Sequence, residues 1–155
     1  YGYVEISNPL LYRKELYECS GHWDHYQENM FVFKDEDGES ELAIKPMNCP
    51  DTMLFFRSRT RSYRDLPMRI AEGQILHRNE ATGAMHGLMR TRMFTQDDAH
   101  IFIGPEHLEE EVLCLFRMLE EVYNLFQLTY TVSLSTRPEN HMGDVATWDR
   151  AEAAL

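Results

Sequence analysis

Residues 75–100, ILHRNEATGAMHGLMRTRMFTQDDAH, decide the fold, because they read as two strands around a flexible loop. Ile75, Leu76 and Arg78 end an incoming strand. Residues 79–89 hold two glycines and no strong periodicity, which marks a loop. Residues 89–94 alternate again, placing Arg90 and Arg92 on one face and Met89, Thr91 and Met93 on the other. An antiparallel hairpin of this kind gathers Arg78, Glu80 and Arg90 around one small, highly charged molecule. A guanidinium fork suits the planar, polyanionic geometry of a triphosphate better than an ammonium does. The pattern points to nucleotide chemistry.

On either side of the hairpin the spacing predicts an α/β domain built on antiparallel strands. Residues 3–7 alternate as a short strand, and Pro9 opens a helical segment to Glu18. Strands at 30–34 and 41–45 flank Asp35-Glu36-Asp37-Gly38, a hairpin turn signal. Pro50 and Asp51 open a helix to about Arg59. Residues 68–78 and 90–103 supply the long hairpin. After Pro105, Leu108, Val112, Leu115, Leu119, Val122 and Phe126 follow helical spacing with glutamates outside, a stripe read as core rather than a cofactor box. Residues 130–134 add a strand and 148–155 a helix. No internal repeat or low-complexity linker interrupts the chain.

The 155 residues suffice for one sizeable core and one domain. The chain starts at Tyr1 and stops inside WDRAEAAL, so it reads as a piece cut at both ends. No run of 18 apolar residues and no signal-peptide pattern occurs, and a soluble, cytoplasmic protein with no membrane contact is expected. Cys19, Cys49 and Cys114 are odd in number and widely spaced, which suits free thiols or a metal ligand better than a disulfide framework. The net charge of −11 is unevenly spread: residues 57–92 carry eight arginines against Asp65, Glu72 and Glu80. A local basic patch on an acidic body suits a site for a nucleotide and an RNA end. For Arg57, Arg59 and Arg61 the preferred reading is a solvated helix surface.

Several blocks in order carry a family resemblance: KPMNCP at 45–50, SYRDLP at 62–67, HRNE at 77–80, HGLMRTRMFTQDDAHIF at 86–102 and LSTRPE at 134–139. The Arg-x-Glu, variable loop and return-strand aromatic resemble motif 2 of the class II aminoacyl-tRNA synthetases, and the blocks together resemble the threonyl-tRNA synthetases of class IIa. The resemblance runs over essentially the whole chain. It implies an incomplete class II catalytic fold spanning residues 1–155, an antiparallel sheet flanked by helices. The stretch through Pro9 resembles the end of motif 1, which implies a homodimer. Motif 3, with a second ATP-binding arginine, is expected beyond Leu155, so the isolated piece is expected to be inactive.

The implied activity is ATP-dependent formation of threonyl-adenylate and transfer of threonine to tRNA(Thr), with Mg2+ accompanying ATP. By resemblance, Arg78 holds the α-phosphate and the carboxylate, Glu80 accepts from the adenine amino group, Arg90 meets the γ-phosphate and Phe94 stacks on the base. The residues themselves also allow an Arg78–Glu80 self-pair and a core Phe94. Cys49 and His100 would be a buried thiol and a core histidine on spacing alone. The resemblance makes them ligands of one Zn2+ per subunit, with a third histidine expected beyond Leu155. Zinc would recognise the amine and hydroxyl of threonine and reject valine, while serine would be left to a separate editing domain.

The resemblance also assigns Met47, Gln96 and Asp98 to the threonine pocket, though for Met47 plain core packing stays open. Asp97 is expected on the opposite face. His22, in SGHWDHY, matches a histidine associated with transfer to the tRNA ribose, where a neutral imidazole helps move a proton. A His22–His25 metal pair lacks a third ligand nearby. His77 is expected on the other face as scaffold, and His86 either reaches the tRNA end or is an exposed loop residue. One departure stands out: Asp51-Thr52 occupies the place where the family more often has a small residue and histidine. Asp51 reads as a helix N-cap that adds negative charge near the zinc site. The alternatives are a non-catalytic synthetase-like binding or regulatory paralogue, and a prolyl- or seryl-type synthetase. Arg78, Glu80, Arg90, Cys49 and His100 together argue against the first, and Cys49 with Asp98-x-His100 against the second.

Overall fold

The structure, a computed structural model, describes residues 1–38 and 41–155, which form two compact units, Tyr1–Phe102 and Ile103–Leu155. In the first unit the long hairpin dominates. Strand β5 (Met68–His77) pairs antiparallel with β6 (Met93–Phe102) over ten residue pairs, from Met68↔Phe102 to His77↔Met93. Strand β1 (Val4–Glu5) joins the other edge of β5, and this pairing is parallel. The mixed α/β architecture therefore agrees with the expected class, with one parallel pair added.

A second three-stranded sheet has the order β2 (Leu11–Arg13), β4 (Glu41–Ile44), β3 (Val32–Lys34), all antiparallel. The expected turn follows β3: Gly38 N–H donates to the Asp35 carbonyl at 3.0 Å, and Gly38 has φ +70, where a β-carbon would be strained. Residues 9–13 are not helical as the sequence reading had them. Leu11–Arg13 extends because Ile44, Ala43 and Leu42 offer it a ladder, and helix α1 (Lys14–Cys19) starts only afterwards. Tyr17 of α1, Met30 and Ala43 make the buried cluster over this sheet, with Tyr12, Trp23, Tyr26 and Val32 packed around it. Helix α2 (His22–Tyr26) follows at once through Gly21, at φ +76.

Helix α3 (Cys49–Arg57) has Pro50 in its first turn, where the missing N–H would bond to nothing anyway. It ends at Arg57, so Arg59 and Arg61 lie beyond it. Arg61 also departs from the solvated-surface reading: its guanidinium sits over the rings of Phe55 and Phe56, and Nε donates to the Phe56 carbonyl at 3.2 Å. Phe56 in turn stacks on Phe102 at 4.0 Å between centroids.

The second unit contains α4 (Leu108–Leu125) and α5 (Val145–Ala154). The periodicity located α4 correctly, but its stripe is not core: Leu115, Val122 and Phe126 remain exposed. Residues 130–134 form no strand, because no segment among the described residues pairs with them; Tyr130 instead packs edge-on against Tyr123. Helix α5 starts earlier than the sequence reading placed it, since Asp144 caps it by accepting from Thr147 N–H at 2.8 Å and Thr147 Oγ1 at 2.7 Å. No helix among the described residues is long and apolar enough to cross a membrane.

Candidate functional site

Strand alternation does the first part of the site's construction. On β6, Phe94, Gln96, Asp98 and His100 share the half-buried face, while Thr95, Asp97 and Ala99 are exposed on the other. The register sets Leu76 opposite Phe94, Gln74 opposite Gln96, Glu72 opposite Asp98 and Ile70 opposite His100. One face of the hairpin thus carries every β6 residue named from the sequence, with Asp97 turned away as expected. His77 faces Met93 on the opposite side, and its Nδ1 is buried without a hydrogen-bond partner.

At the loop end the arginines are arranged differently from the strand alternation first read there. Arg90 is not on β6, which begins at Met93. It closes a turn at residues 86–90, with His86 and Arg90 exchanging backbone hydrogen bonds at 3.2 and 3.3 Å. That turn lets Arg90 fold back onto Glu80: Nε lies 3.0 Å and Nη2 2.8 Å from Glu80 Oε2. Arg92 Nε donates to the Glu80 carbonyl at 3.0 Å. Arg78 takes no part in this pairing. Its Nε donates to the Pro46 carbonyl at 3.2 Å, and its guanidinium lies 5.0 Å above the centre of the Phe94 ring. Arg78, Glu80, Arg90 and Phe94 line one open cleft of about 460 Å³, together with Tyr26, Asn29 and the exposed loop residues Leu88 and Met89.

Two cationic side chains, a carboxylate and an aromatic face in one cleft can bind a planar polyanion. Arg78 spends Nε on the chain, which leaves the Nη edge to meet a ligand. Arg90 holds its carboxylate from a side chain that is 56% exposed, so water screens the pair and an anion can compete for the arginine.

The second part of the site joins α3 to the same β6 face. Asn48 is fully buried, and its Nδ2 donates to Asp98 Oδ2 at 3.2 Å. Asp98 Oδ1 also accepts from Ala99 N–H at 2.9 Å. Cys49, next along, has its thiol pushed up by burial and then by the Asp98 charge, so it ionises less readily than a free cysteine. A thiol and an imidazole are borderline-soft donors of the kind zinc takes. The donors fit zinc in kind; in number, no group of three histidine, cysteine or acidic side chains among the described residues could hold a metal. His22 approaches from α2: its Nε2 lies 3.3 Å from Met47 Sδ, and burial lowers its proton affinity below the ordinary histidine value.

Beneath both parts runs a network that the sequence reading missed. Lys45, 1% exposed, donates to Asp51 Oδ2 and Glu72 Oε1, each at 2.8 Å. Tyr12 OH donates to Asp51 Oδ2 at 3.3 Å, and Asn8 donates to Glu72 through its backbone N–H and its Nδ2. Asp51 is therefore not the helix cap expected of it. The cap position belongs to Asn48, and Asp51 turns inward to share the buried Lys45 ammonium with Glu72. Burial raises the Asp51 carboxyl despite that partner. The signal in the sequence was Glu72, a charge in the middle of a strand face shared with Ile70 and Leu76.

Residues 31–152 match the family described as tRNA synthetase class II core domain (G, H, P, S and T). A threonine–tRNA ligase of Thermotoga maritima is 54% identical over 99% of the chain, and mitochondrial threonine–tRNA ligase 1 of Arabidopsis thaliana is 51% identical over the same share. The chain spans about a quarter of the length of these relatives, 24% and 21%. Among solved structures, the RNA binding domain of threonyl-tRNA synthetase from Cryptosporidium parvum superposes with a TM-score of 0.92 at 44% identity, over 99% of this chain and 38% of that one. A prolyl-tRNA synthetase from Giardia lamblia, at 20% identity and a TM-score of 0.68 over 79% of this chain and 25% of that one, shares the fold.

Proposed function

The chain belongs to the class II tRNA synthetase core-domain family, and from that premise we propose that it supplies the nucleotide-facing part of a threonine–tRNA ligase. The reaction activates L-threonine with Mg2+–ATP and passes the threonyl group to tRNA(Thr), in the cytoplasm and on a homodimer. The observation that carries this reading is the convergence of Arg78, Glu80, Arg90 and Phe94 on one cleft. Adenylation needs little covalent help from the protein: it needs the threonine carboxylate and the α-phosphate held in line, with the developing charge met by fixed donors. Arg78, braced by Pro46 and Phe94, is the preorganised donor for the α-phosphate and carboxylate. Arg90 leaves Glu80 for the γ-phosphate, which frees the Glu80 carboxylate to accept from the adenine amino group. Phe94 offers its face to the base.

For the amino acid, Met47, Gln96 and Asp98 line the threonine side, with Asp98 held ready by Asn48. Cys49 and His100 contribute two zinc ligands, and a residue outside these 155 supplies the third. Zinc held by Cys49 and His100 would supply Lewis-acid recognition of the amine and hydroxyl of threonine, which valine would fail. His22 accepts the ribose proton in the transfer step. Burial favours its neutral form, which is the form a proton acceptor requires. Threonine-dependent exchange of pyrophosphate into ATP by the full-length protein is the test. Exchange with threonine and none with proline or serine beyond a trace is the expected result; exchange with proline or serine in preference would replace this reading.

A further inference from the structure

Asn48 stands at the cap position of α3, yet its side chain makes no cap hydrogen bond. Only its main chain serves the helix: the carbonyl accepts from Thr52 N–H at 3.0 Å and from Thr52 Oγ1 at 2.9 Å. The amide turns instead toward β6, where Nδ2 donates to Asp98 Oδ2 at 3.2 Å. An ionised carboxylate can only accept, so the amide has to present its nitrogen there. Oδ1 is then buried with no partner among the described residues, a cost to the fold that core positions ordinarily avoid. The amide therefore serves Asp98 and not the helix.

Glu72 stands directly opposite Asp98 across the ladder, and the two carboxylates are held by different chemistry. Glu72 takes the buried Lys45 ammonium and so belongs to the fold. Asp98, half-buried, takes Asn48 Nδ2 on one oxygen and the Ala99 N–H, at 2.9 Å, on the other. Both donors are neutral, so they fix the plane of the carboxylate and leave its charge in place. Each oxygen keeps a second acceptor position. An ammonium in the place of Asn48 would cancel that charge and compete with a ligand. Hydrogen bonds to an ionised acceptor are roughly twice as strong as neutral ones. We propose that Asn48 is a positioning residue for threonine: its amide orients Asp98 without discharging it, and so sets an anionic acceptor for the amine and hydroxyl hydrogens of the substrate. This rests on the place given to Asp98 in the threonine pocket above.

Such a contact is made as soon as threonine binds, so its loss is read in the KM for threonine rather than in kcat. The cleft given to ATP is lined by Arg78, Glu80, Arg90 and Phe94, and Asn48 does not line it. A structural role would read differently. Cys49 follows Asn48 at the start of α3, so a disturbed helix start would lower zinc binding and ATP use along with threonine use.

The test uses the full-length protein: pyrophosphate exchange with threonine and ATP varied in turn, beside metal analysis. Asn48→Ala should raise the KM for threonine about tenfold, with kcat, the KM for ATP and bound zinc within about twofold of wild type. Asp98→Ala serves as the reference. Adding Asn48→Ala to it should cost less than about twofold further in kcat/KM for threonine, since no carboxylate is left to orient. Asn48→Val refills more of the space, carries the same expectations and covers a collapse of the alanine variant. Wild-type threonine kinetics in Asn48→Ala, or a further loss of about tenfold on top of Asp98→Ala, would overturn the positioning role alone. Wild-type kinetics in Asp98→Ala would overturn the place of Asp98 itself, and this inference with it. Parallel losses in threonine use, ATP use and zinc, or unfolding of both Asn48 variants, would make Asn48 a structural residue and overturn the inference.

Discussion

Glu80 is paired with Arg90 and not with Arg78, the arginine two residues away in sequence. A turn at the tip of the loop brings Arg90 back over the carboxylate, while Arg78 is drawn to the Phe94 ring and the Pro46 carbonyl. The two arginines therefore start from different states. Arg78 is braced by the protein, and Arg90 is lightly held by a group that it can exchange for a phosphate.

Different kinetic signatures follow for the two. In the full-length protein, Arg78→Ala removes a preorganised partner for charge that develops on the phosphate, and should cost about 2–4 kcal/mol of transition-state stabilisation. Arg90→Ala should raise the KM for ATP with a smaller effect on kcat, since the proposed γ-phosphate contact would be made equally before and during the reaction. Pyrophosphate exchange against ATP concentration measures both. Exchange within about threefold of wild type for Arg78→Ala would remove that residue from the mechanism.

The buried network gives a stability prediction. Lys45 neutralises one of two buried carboxylates, so Lys45→Met leaves Asp51 and Glu72 buried, close together and uncompensated. Removing one partner of a buried ion pair typically costs about 3–5 kcal/mol. Chemical denaturation of the full-length protein should show that loss in the transition of this domain. A change under about 1 kcal/mol would mean that water or a shifted carboxyl proton takes the place of the ammonium.

The contrast between what was legible and what was not follows from the range of each interaction. The β5–β6 hairpin was readable because period-2 alternation and a glycine-bearing loop are local features, and Phe94, Gln96, Asp98 and His100 inherited their common face from it. The Lys45–Asp51–Glu72 triad was not, because it joins β5 to two other segments whose distance in sequence carries no signal. Leu11–Arg13 was misread for a related reason: with a short segment, the β4 ladder outweighs local propensity. The α4 stripe shows the converse, since periodicity located the helix and said nothing about what covers Leu115 and Val122.

The metal pair yields a coupled prediction. Cys49→Ala or His100→Ala in the full-length protein should lower bound zinc and threonine activation together, because one ion is expected to serve as both structure and recognition. Metal analysis beside threonine and valine activation measures the coupling. The raised Cys49 thiol adds a direction: zinc has to displace a proton that burial and Asp98 hold on sulfur, so zinc loading should strengthen as pH rises. Full threonine activation in a zinc-free variant would leave both residues with a structural role only.

The pH dependence of transfer tests His22 directly. Burial lowers its proton affinity, so its folded value lies below the ordinary 6.5. Between that folded value and 6.5 the unfolded chain binds more protons than the folded one, and the contribution of His22 to stability therefore rises with pH across the window. The same window governs the proposed chemistry, because only the neutral ring can accept a proton. Single-turnover transfer measured from about pH 5 to about pH 8 should fall on the acid side with a midpoint below 6.5, while pyrophosphate exchange lacks that limb. His22→Gln keeps a polar side chain without a titrating ring, and should transfer slowly with the acid limb gone. A midpoint above 6.5, or an unchanged limb in His22→Gln, would assign the titration to another group.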